Sequence, residues 1–244
     1  MLLFSWIRAW IQSWIRRLFA PAKRQERIAA RKRAEDLFDV PGSTVIVRKD
    51  ASTAEWDDRI GMARVANPRG KIWNTTGVIR SSSLLCNVEE TIYLVEQGCL
   101  VLTLQGRTMD LHEVLELLGV EKNGCSMDAY NVYSHFKALG YVVSRHNVDW
   151  TAKEELESID RERDDHSSSS SLKLVFDVYA PNSQFRKTSP GVPLFSLCVS
   201  RTAPTKNQVN TLERGSKVPV KFATVQGGHV GIFSFTTVEL PCLS

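Results

Sequence analysis

No two cysteines of this chain are close enough to form a CxxC. Cys86, Cys99, Cys125, Cys198 and Cys242 are scattered and odd in number. That argues against a disulfide framework and against a thiolate zinc site, and it reads as small buried thiols in a reducing compartment. Histidine is as sparse, with His112, His135, His146, His166 and His229 alone. No HExxH, GxSxG, P-loop or GxGxxG stands anywhere, so the commonest metal, nucleophile and phosphate chemistries have no local signature. Asp57-Asp58 and Glu89-Glu90 are adjacent carboxylates, but sequence neighbours point apart on a helix or strand and make poor acid–base partners. A long apolar run is missing too: arginines interrupt residues 2–19 well short of the ~20 needed to cross a bilayer. Arg8 also breaks the apolar stretch a signal peptide would need, and no cleavage-like site follows.

What is present is ordinary globular material: 244 residues, 43% apolar and 24% charged, enough for one or two domains with cores of their own. The net charge of +4 is unevenly spread. Residues 1–34 hold nine basic groups against Glu26 alone, and the remaining 210 residues hold 22 basic and 26 acidic groups. The basic character therefore sits in an N-terminal arm, residues 1–35, and the body is mildly acidic. Phe4, Ile7, Ile11, Trp14, Ile15 and Leu18 recur at helical spacing in that arm, which makes it an amphipathic helix. Trp6, Trp10 and Trp14 beside arginines suit a membrane interface or a transit segment, and equally a helix that docks on protein. Arg16, Arg17, Lys23, Arg24, Arg31, Lys32 and Arg33 are the expected contacts to RNA or to an acidic membrane surface.

The pattern then divides the body in two. Residues 36–150 start β-rich, with a strand candidate at Ser43 to Arg48 and a hairpin expected over Val65 to Trp73, turned by Asn67-Pro68-Arg69-Gly70. The period then becomes helical. Asn87 with Glu90 three residues on is a capping-box signature, and Gly98 is the stop. A strand is expected over Cys99 to Leu104. A second helix starts at Asp110 with Glu113, and a third spans Asp128 to Leu139, with Gly140 as its cap and Tyr141-Val142-Val143 leaving as a strand. Residues 151–171 mix dense charge with five serines, Ser167 to Ser171, and read as a linker. Residues 172–244 give strands at Leu172 to Tyr179 and Phe195 to Ser200, a short helix at Thr205 to Arg214, and strands at Val218 to Val225 and Val230 to Val238 joined at Gln226-Gly227-Gly228. The β-β-α-β-β order lets the helix serve as a crossover between neighbouring parallel strands. The expected fold class is α+β: a mixed first half with a hairpin and a three-helix, winged-helix-like unit, linked to a small β-β-α-β-β second half.

Several segments resemble one family in consistent order. Gly70-Lys71-Ile72-Trp73 is similar to a GKFW element. Glu89-Glu90-Thr91-Ile92-Tyr93-Leu94-Val95-Glu96-Gln97-Gly98 is similar to an EEALYLLExG helix. Tyr130 to Val143 is similar to a YxVFSHLKxLGYVV stretch. Phe176-Asp177-Val178-Tyr179, Phe185-Arg186-Lys187 and Ser189-Pro190-Gly191-Val192-Pro193 resemble an FDVY…FKK…PGPP run, and Phe233-Ser234-Phe235 a closing hairpin. These elements, over roughly residues 28–241, resemble the non-catalytic structural subunit of the eukaryotic tRNA-splicing endonuclease, the subunit called SEN fifty-four. The tryptophan helix lies outside the resemblance, and the linker is short for this family.

The resemblance implies a scaffold. The family's catalytic subunits cut RNA with a tyrosine, a histidine and a lysine, without metal: a base for the 2′-hydroxyl, an acid for the leaving 5′-oxygen and a cation for the phosphorane. Tyr179 stands at the tyrosine position. The histidine position falls near Pro193 or Leu194 and the lysine position near His229, and neither residue type is there. Tyr179 then reads as a core tyrosine, and the resemblance implies no catalytic residues, no cofactor and no metal in this chain. It also implies partners: catalytic and non-catalytic subunits of the complex, in a heterotetramer, and pre-tRNA. It implies a nuclear location, with the mitochondrial outer surface as an alternative raised by the tryptophan helix. The last strand is apolar on both faces, so Ile232, Phe233 and Phe235 are the expected interface residues. A different class remains open, a stand-alone winged-helix nucleic-acid-binding module built on the Tyr133-Ser134-His135-Phe136-Lys137 helix. Against it, Tyr133 and Phe136 read as core, Lys137 as a solvated charge, and the body lacks a basic face.

Overall fold

The computed structural model describes residues 46–152 and 172–235. It is an α+β protein with two mixed sheets and, among the described residues, four α-helices. The expected α+β class is borne out. The basic arm, with Arg16, Arg17, Lys23, Arg24, Arg31, Lys32 and Arg33, and most of the expected linker lie outside the described residues.

The first sheet begins with β1 (Ser52–Asp57) and β2 (Met62–Asn67), an antiparallel pair. The chain turns between them over residues 58–61, where Trp56 donates its indole N–H to Asp58 Oδ1 at 2.9 Å. The hairpin expected over Val65 to Trp73 is not formed. Asn67-Pro68-Arg69-Gly70 does turn the chain, but into a 3-10 turn, Lys71–Asn74, because Trp73 goes into the core and gives its indole N–H to Ser52 Oγ at 2.9 Å. That bond ties the turn to β1, so no second strand forms there. Of the strand expected at Ser43 to Arg48, only residues 46–48 are described. They carry no strand, and the Arg48 N–H bonds the Gly98 carbonyl at 2.9 Å.

β3 (Val78–Arg80) and β4 (Ser83–Cys86) form a hairpin that no turn signature in the sequence announces. Its two turn residues, Ser81 and Ser82, have φ of 45° and 66°. Both being positive matches the tight turn usually written Asn-Gly, here written with serines. α1 (Val88–Glu96), β5 (Leu100–Leu104), β6 (Arg107–Thr108), α2 (Leu111–Glu116) and α3 (Met127–Ala138) come next, in the expected order. Both expected capping boxes are present: the Asn87 N–H bonds Glu90 Oε2 at 2.9 Å, and the Glu113 N–H bonds Asp110 Oδ1 at 2.9 Å.

β7 (Val142–Arg145) leaves α3 and joins the second sheet. It pairs antiparallel with β9 (Leu174–Tyr179) on the far side of the serine-rich stretch. β8 (Thr151–Ala152) returns to the first sheet as an edge, parallel to β3. β10 (Phe195–Val199), α4 (Lys206–Gly215), β11 (Val220–Gln226) and β12 (His229–Phe233) complete the chain. β10 and β11 are parallel, so α4 is the crossover the sequence implied, and Gly227-Gly228 make the tight turn into β12. The sheet orders are β6-β5-β1-β2-β4-β3-β8 and β12-β11-β10-β9-β7. One apolar core is continuous across both: it takes in Trp56, Ile92, Leu102, Tyr133 and Phe136 together with Phe176, Val178, Leu197 and Ala223.

Candidate functional site

The sequence motifs converge on one buried polar cluster at the start of α1. The capping box puts Glu89 and Glu90 in the first turn, where helix amide groups favour negative charge. The two carboxylates then part company, as neighbours on a helix must. Glu89 turns to β7 and is held by Arg145 in a two-bond fork at 2.8 and 2.7 Å. Arg145 also donates to the Asn123 carbonyl at 2.9 Å. Burial opposes the guanidinium charge, and the Glu89 carboxylate more than offsets it, so its pKa lies above the ordinary value. Glu90 turns to the first sheet and accepts from the Gly77 N–H at 2.7 Å and the Asn87 N–H at 2.9 Å. Burial raises its pKa, Glu89 adds to the rise, and the two amide donors counter it.

Two lysines close the cluster on the Thr75-Thr76 turn. Lys137, from α3, donates to Thr76 Oγ1 at 3.1 Å and to the Thr75 carbonyl at 3.4 Å. Lys187, from the β9–β10 connection, donates to the Thr76 carbonyl at 2.6 Å. Burial lowers both lysine pKa values, with Glu90 as the carboxylate that counters it in each case. The expectation that Lys137 is a solvated charge is thus corrected, because α3 lies against the rest of the protein on nearly every side. Tyr133 and Phe136 are core, as expected, at 1% and 4% exposure. Tyr130 reaches back to α1 and donates to Glu96 Oε2 at 2.6 Å.

The positions compared with a catalytic triad are not assembled. Tyr179 ends β9 packed among Val142, Trp150 and Phe185, with ring centroids 6.1 Å from Trp150 and 5.6 Å from Phe185. Burial raises its phenol pKa. Leu194 lies beside it, its N–H on the Val178 carbonyl at 2.8 Å. His229 lies elsewhere. Val178 is level with Phe195, Ser196 with Val220, and His229 pairs with Gln226 at the far end of β11. Six residue steps along β11 separate Val220 from Gln226, on the order of 20 Å.

His146 Nδ1 and Ser196 Oγ both contact Asp177 Oδ1, at 2.8 and 2.6 Å. The carboxylate is the middle member, so among the described residues the serine has no histidine base, and the trio ties β9 and β10 to the residue that follows β7. Among the described residues no group of three or more His, Cys, Asp or Glu could hold a metal ion, and no helix is long and apolar enough to cross a membrane.

Of the expected interface residues, Ile232 and Phe233 lie on β12, an edge of the second sheet, and Phe235 lies two residues past its end. Phe233 stacks on the buried Phe222 at 5.9 Å, and Phe235 meets both edge-on at 5.2 and 5.6 Å. Ile232 is 38% and Phe235 44% exposed. The strand ends at Phe233, short of the expected Val238, and residues 236–244 lie outside the described residues.

A mixed α+β frame whose motif residues are spent on internal ion pairs and hydrogen bonds is the class these observations define. Comparison with known proteins narrows it. Residues 42–104 match the family model described as the N-terminal region of tRNA-splicing endonuclease subunit sen54. The chain is 35% identical over 112 residues to tRNA-splicing endonuclease subunit Sen54 of Mus musculus, covering 46% of this chain and 20% of that protein. It is 32% identical over 116 residues to subunit SEN54 of Eremothecium gossypii, covering 44% of this chain and 25% of that protein. It is 31% identical over 125 residues to the Schizosaccharomyces pombe protein named probable tRNA-splicing endonuclease subunit sen54, covering 49% and 30%. The family resemblance read from the sequence therefore stands. The matched stretches span 30% or less of the length of these relatives.

Proposed function

We propose that this chain is a non-catalytic subunit of a tRNA-splicing endonuclease, a scaffold that carries a catalytic subunit and helps position intron-containing pre-tRNA. The observation that carries the proposal is the use of the motif residues. Trp73, Glu89, Glu90, Tyr130 and Lys137 are each held by hydrogen bonds inside the first half, Tyr133 is buried in the core, and Lys187 joins the second half to the Thr76 carbonyl. None of them is arranged as acid, base and cation around an open substrate position. Burial of Tyr179, and its distance from His229, support the absence of a cleavage site of its own.

In this reading residues 36–150 and 172–244 act as two subunit domains, the first with winged-helix-like character and the second endonuclease-like. The apolar edge β12 meets another subunit of a heterotetramer. The basic arm, with Arg16, Arg17, Lys23, Arg24, Arg31, Lys32 and Arg33, contacts RNA or an acidic membrane surface. The protein works in the nucleus, with the mitochondrial outer surface as the other location.

Incubation of the purified chain with intron-containing pre-tRNA is expected to give no cleavage. Specific cuts at both splice sites, abolished by Tyr179→Phe, would overturn the scaffold reading. Purification from native cells is expected to bring down stoichiometric partner subunits. Deleting residues 1–34 is expected to weaken binding to RNA or acidic liposomes and to flatten its salt dependence.

A further inference from the structure

A cleft of about 370 Å³ opens over the Lys137 end of the polar cluster. Its lining includes Thr75 from the 3-10 turn, Tyr93 from α1, Lys137 from α3, Tyr141 after it, and Asn182 and Ser183 from the β9–β10 connection. Among the described residues no carboxylate lines it, and Lys137 is its one charged side chain. The charge beneath is not balanced either. Lys137 and Lys187 both bond neutral groups of the Thr75-Thr76 turn, among the described residues neither forms an ion pair, and the neighbouring Glu90 accepts from the Gly77 and Asn87 amides. The neighbouring Glu89 is held by Arg145. Two half-buried ammonium groups thus converge on one turn and, among the described residues, have no ion-pair partner. An ammonium has three donors, and among the described residues those of Lys137 are met only by two neutral oxygens of the turn. A half-buried cation that is short of anions, at the floor of an open cleft with hydroxyl and amide groups on its rim, is a receptor for an oxyanion.

We propose that this cleft is a phosphate-binding site, with Lys137 as the cation that meets the phosphate and Asn182 and Ser183 as rim donors. Tyr93 and Tyr141 supply aromatic surface beside it for a base. The volume suits a mononucleotide, whether free or as one unit of an RNA strand. The proposal does not depend on the endonuclease-subunit reading.

The test is thermal unfolding of the full chain in sodium phosphate and in sodium chloride at matched ionic strength, repeated with adenosine monophosphate and with a short single-stranded RNA. A bound phosphate raises Tm in proportion to the logarithm of its concentration. The expected result is a phosphate-specific rise in Tm for the wild type, and at least a tenfold loss of apparent affinity in Lys137→Met. Ser183→Asp places a like charge on the exposed rim without touching the core, and is expected to remove the rise even where Lys137→Met fails to fold. A larger rise with the monophosphate than with RNA identifies a free nucleotide as the ligand, and the reverse identifies an RNA strand. Equal Tm in phosphate and chloride for the wild type, or a full rise retained by Ser183→Asp, would overturn the proposal.

Discussion

Gly77 stands where the backbone leaves no room for a side chain, and that can be checked by a single substitution. Gly77 sits at φ +78°, and a Cβ there would lie 2.8 Å from the Leu85 carbonyl oxygen. Backbone cannot yield as a flexible side chain can, and the same residue donates its N–H to Glu90. Gly77→Ala is therefore expected to cost about 2–3 kcal/mol in urea unfolding. Gly140 is the control: its φ is +90°, but a Cβ would meet nothing within 4 Å, so Gly140→Ala should cost only about 1 kcal/mol. Glu96 gives a pH signature. Burial raises its pKa from 4.5 to about 7, with the Tyr130 hydroxyl opposing the rise. An acid whose folded pKa lies above its unfolded value takes up a proton on folding, so it destabilises the fold as pH rises from about 4.5 to about 7. Glu96→Gln should remove that slope and stabilise the protein by roughly 1–3 kcal/mol above pH 7. Unchanged pH dependence of chemical unfolding in the variant would contradict this.

At the scale of elements, the helices were legible because their signals are local. Asn87 with Glu90 and Asp110 with Glu113 bracket each helix start within one turn, and both boxes are present. The crossover helix α4 and the Gly227-Gly228 turn were legible for the same reason. The β-structure of residues 46–86 was not. Ser81-Ser82 carries no glycine or asparagine, so its turn looks like any polar pair. Asn67-Pro68-Arg69-Gly70 is turn chemistry that does not specify the element it leads into. Only the distant bond from Trp73 to Ser52 decides that. The polar cluster was likewise half visible. Its residues stood out as motifs, but their partners lie far away in sequence, Glu89 to Arg145 and Lys187 to Thr76. That first link can be cut. Glu89→Gln leaves Arg145 buried beside a neutral amide, with the Asn123 carbonyl as its other acceptor. An uncompensated buried charge of this kind is expected to cost about 3–5 kcal/mol. A double change with Arg145→Met should cost less than Glu89→Gln alone, and simple additivity of the two single changes would show that the pair is not coupled.

The whole molecule has a continuous core and one apolar margin. β7 comes before the serine-rich stretch and β9 after it, yet they pair. The two halves therefore fold against each other, and the margin of the second sheet is set by β12. Among the described residues no strand pairs with the outer edge of β12, and Ile232 on it and Phe235 just past its end are exposed. An apolar edge of this kind invites pairing with another chain. The three residues expected at the interface do not report on it equally. Phe233 is half-buried and stacked on Phe222 within this protein's own core, so Phe233→Asp also injures the fold. Phe235 is 44% exposed and meets Phe222 and Phe233 only edge-on, which makes Phe235→Asp the cleaner probe. Burying its carboxylate against a partner would cost several kcal/mol, whereas in the free chain the group stays wet. Phe235→Asp is therefore expected to abolish co-purification of the partner subunit while lowering the Tm of the isolated chain by no more than a few degrees. If Phe235→Asp keeps the partner at wild-type stoichiometry, and Ile232→Asp does too, the contact between subunits lies on another surface of this protein.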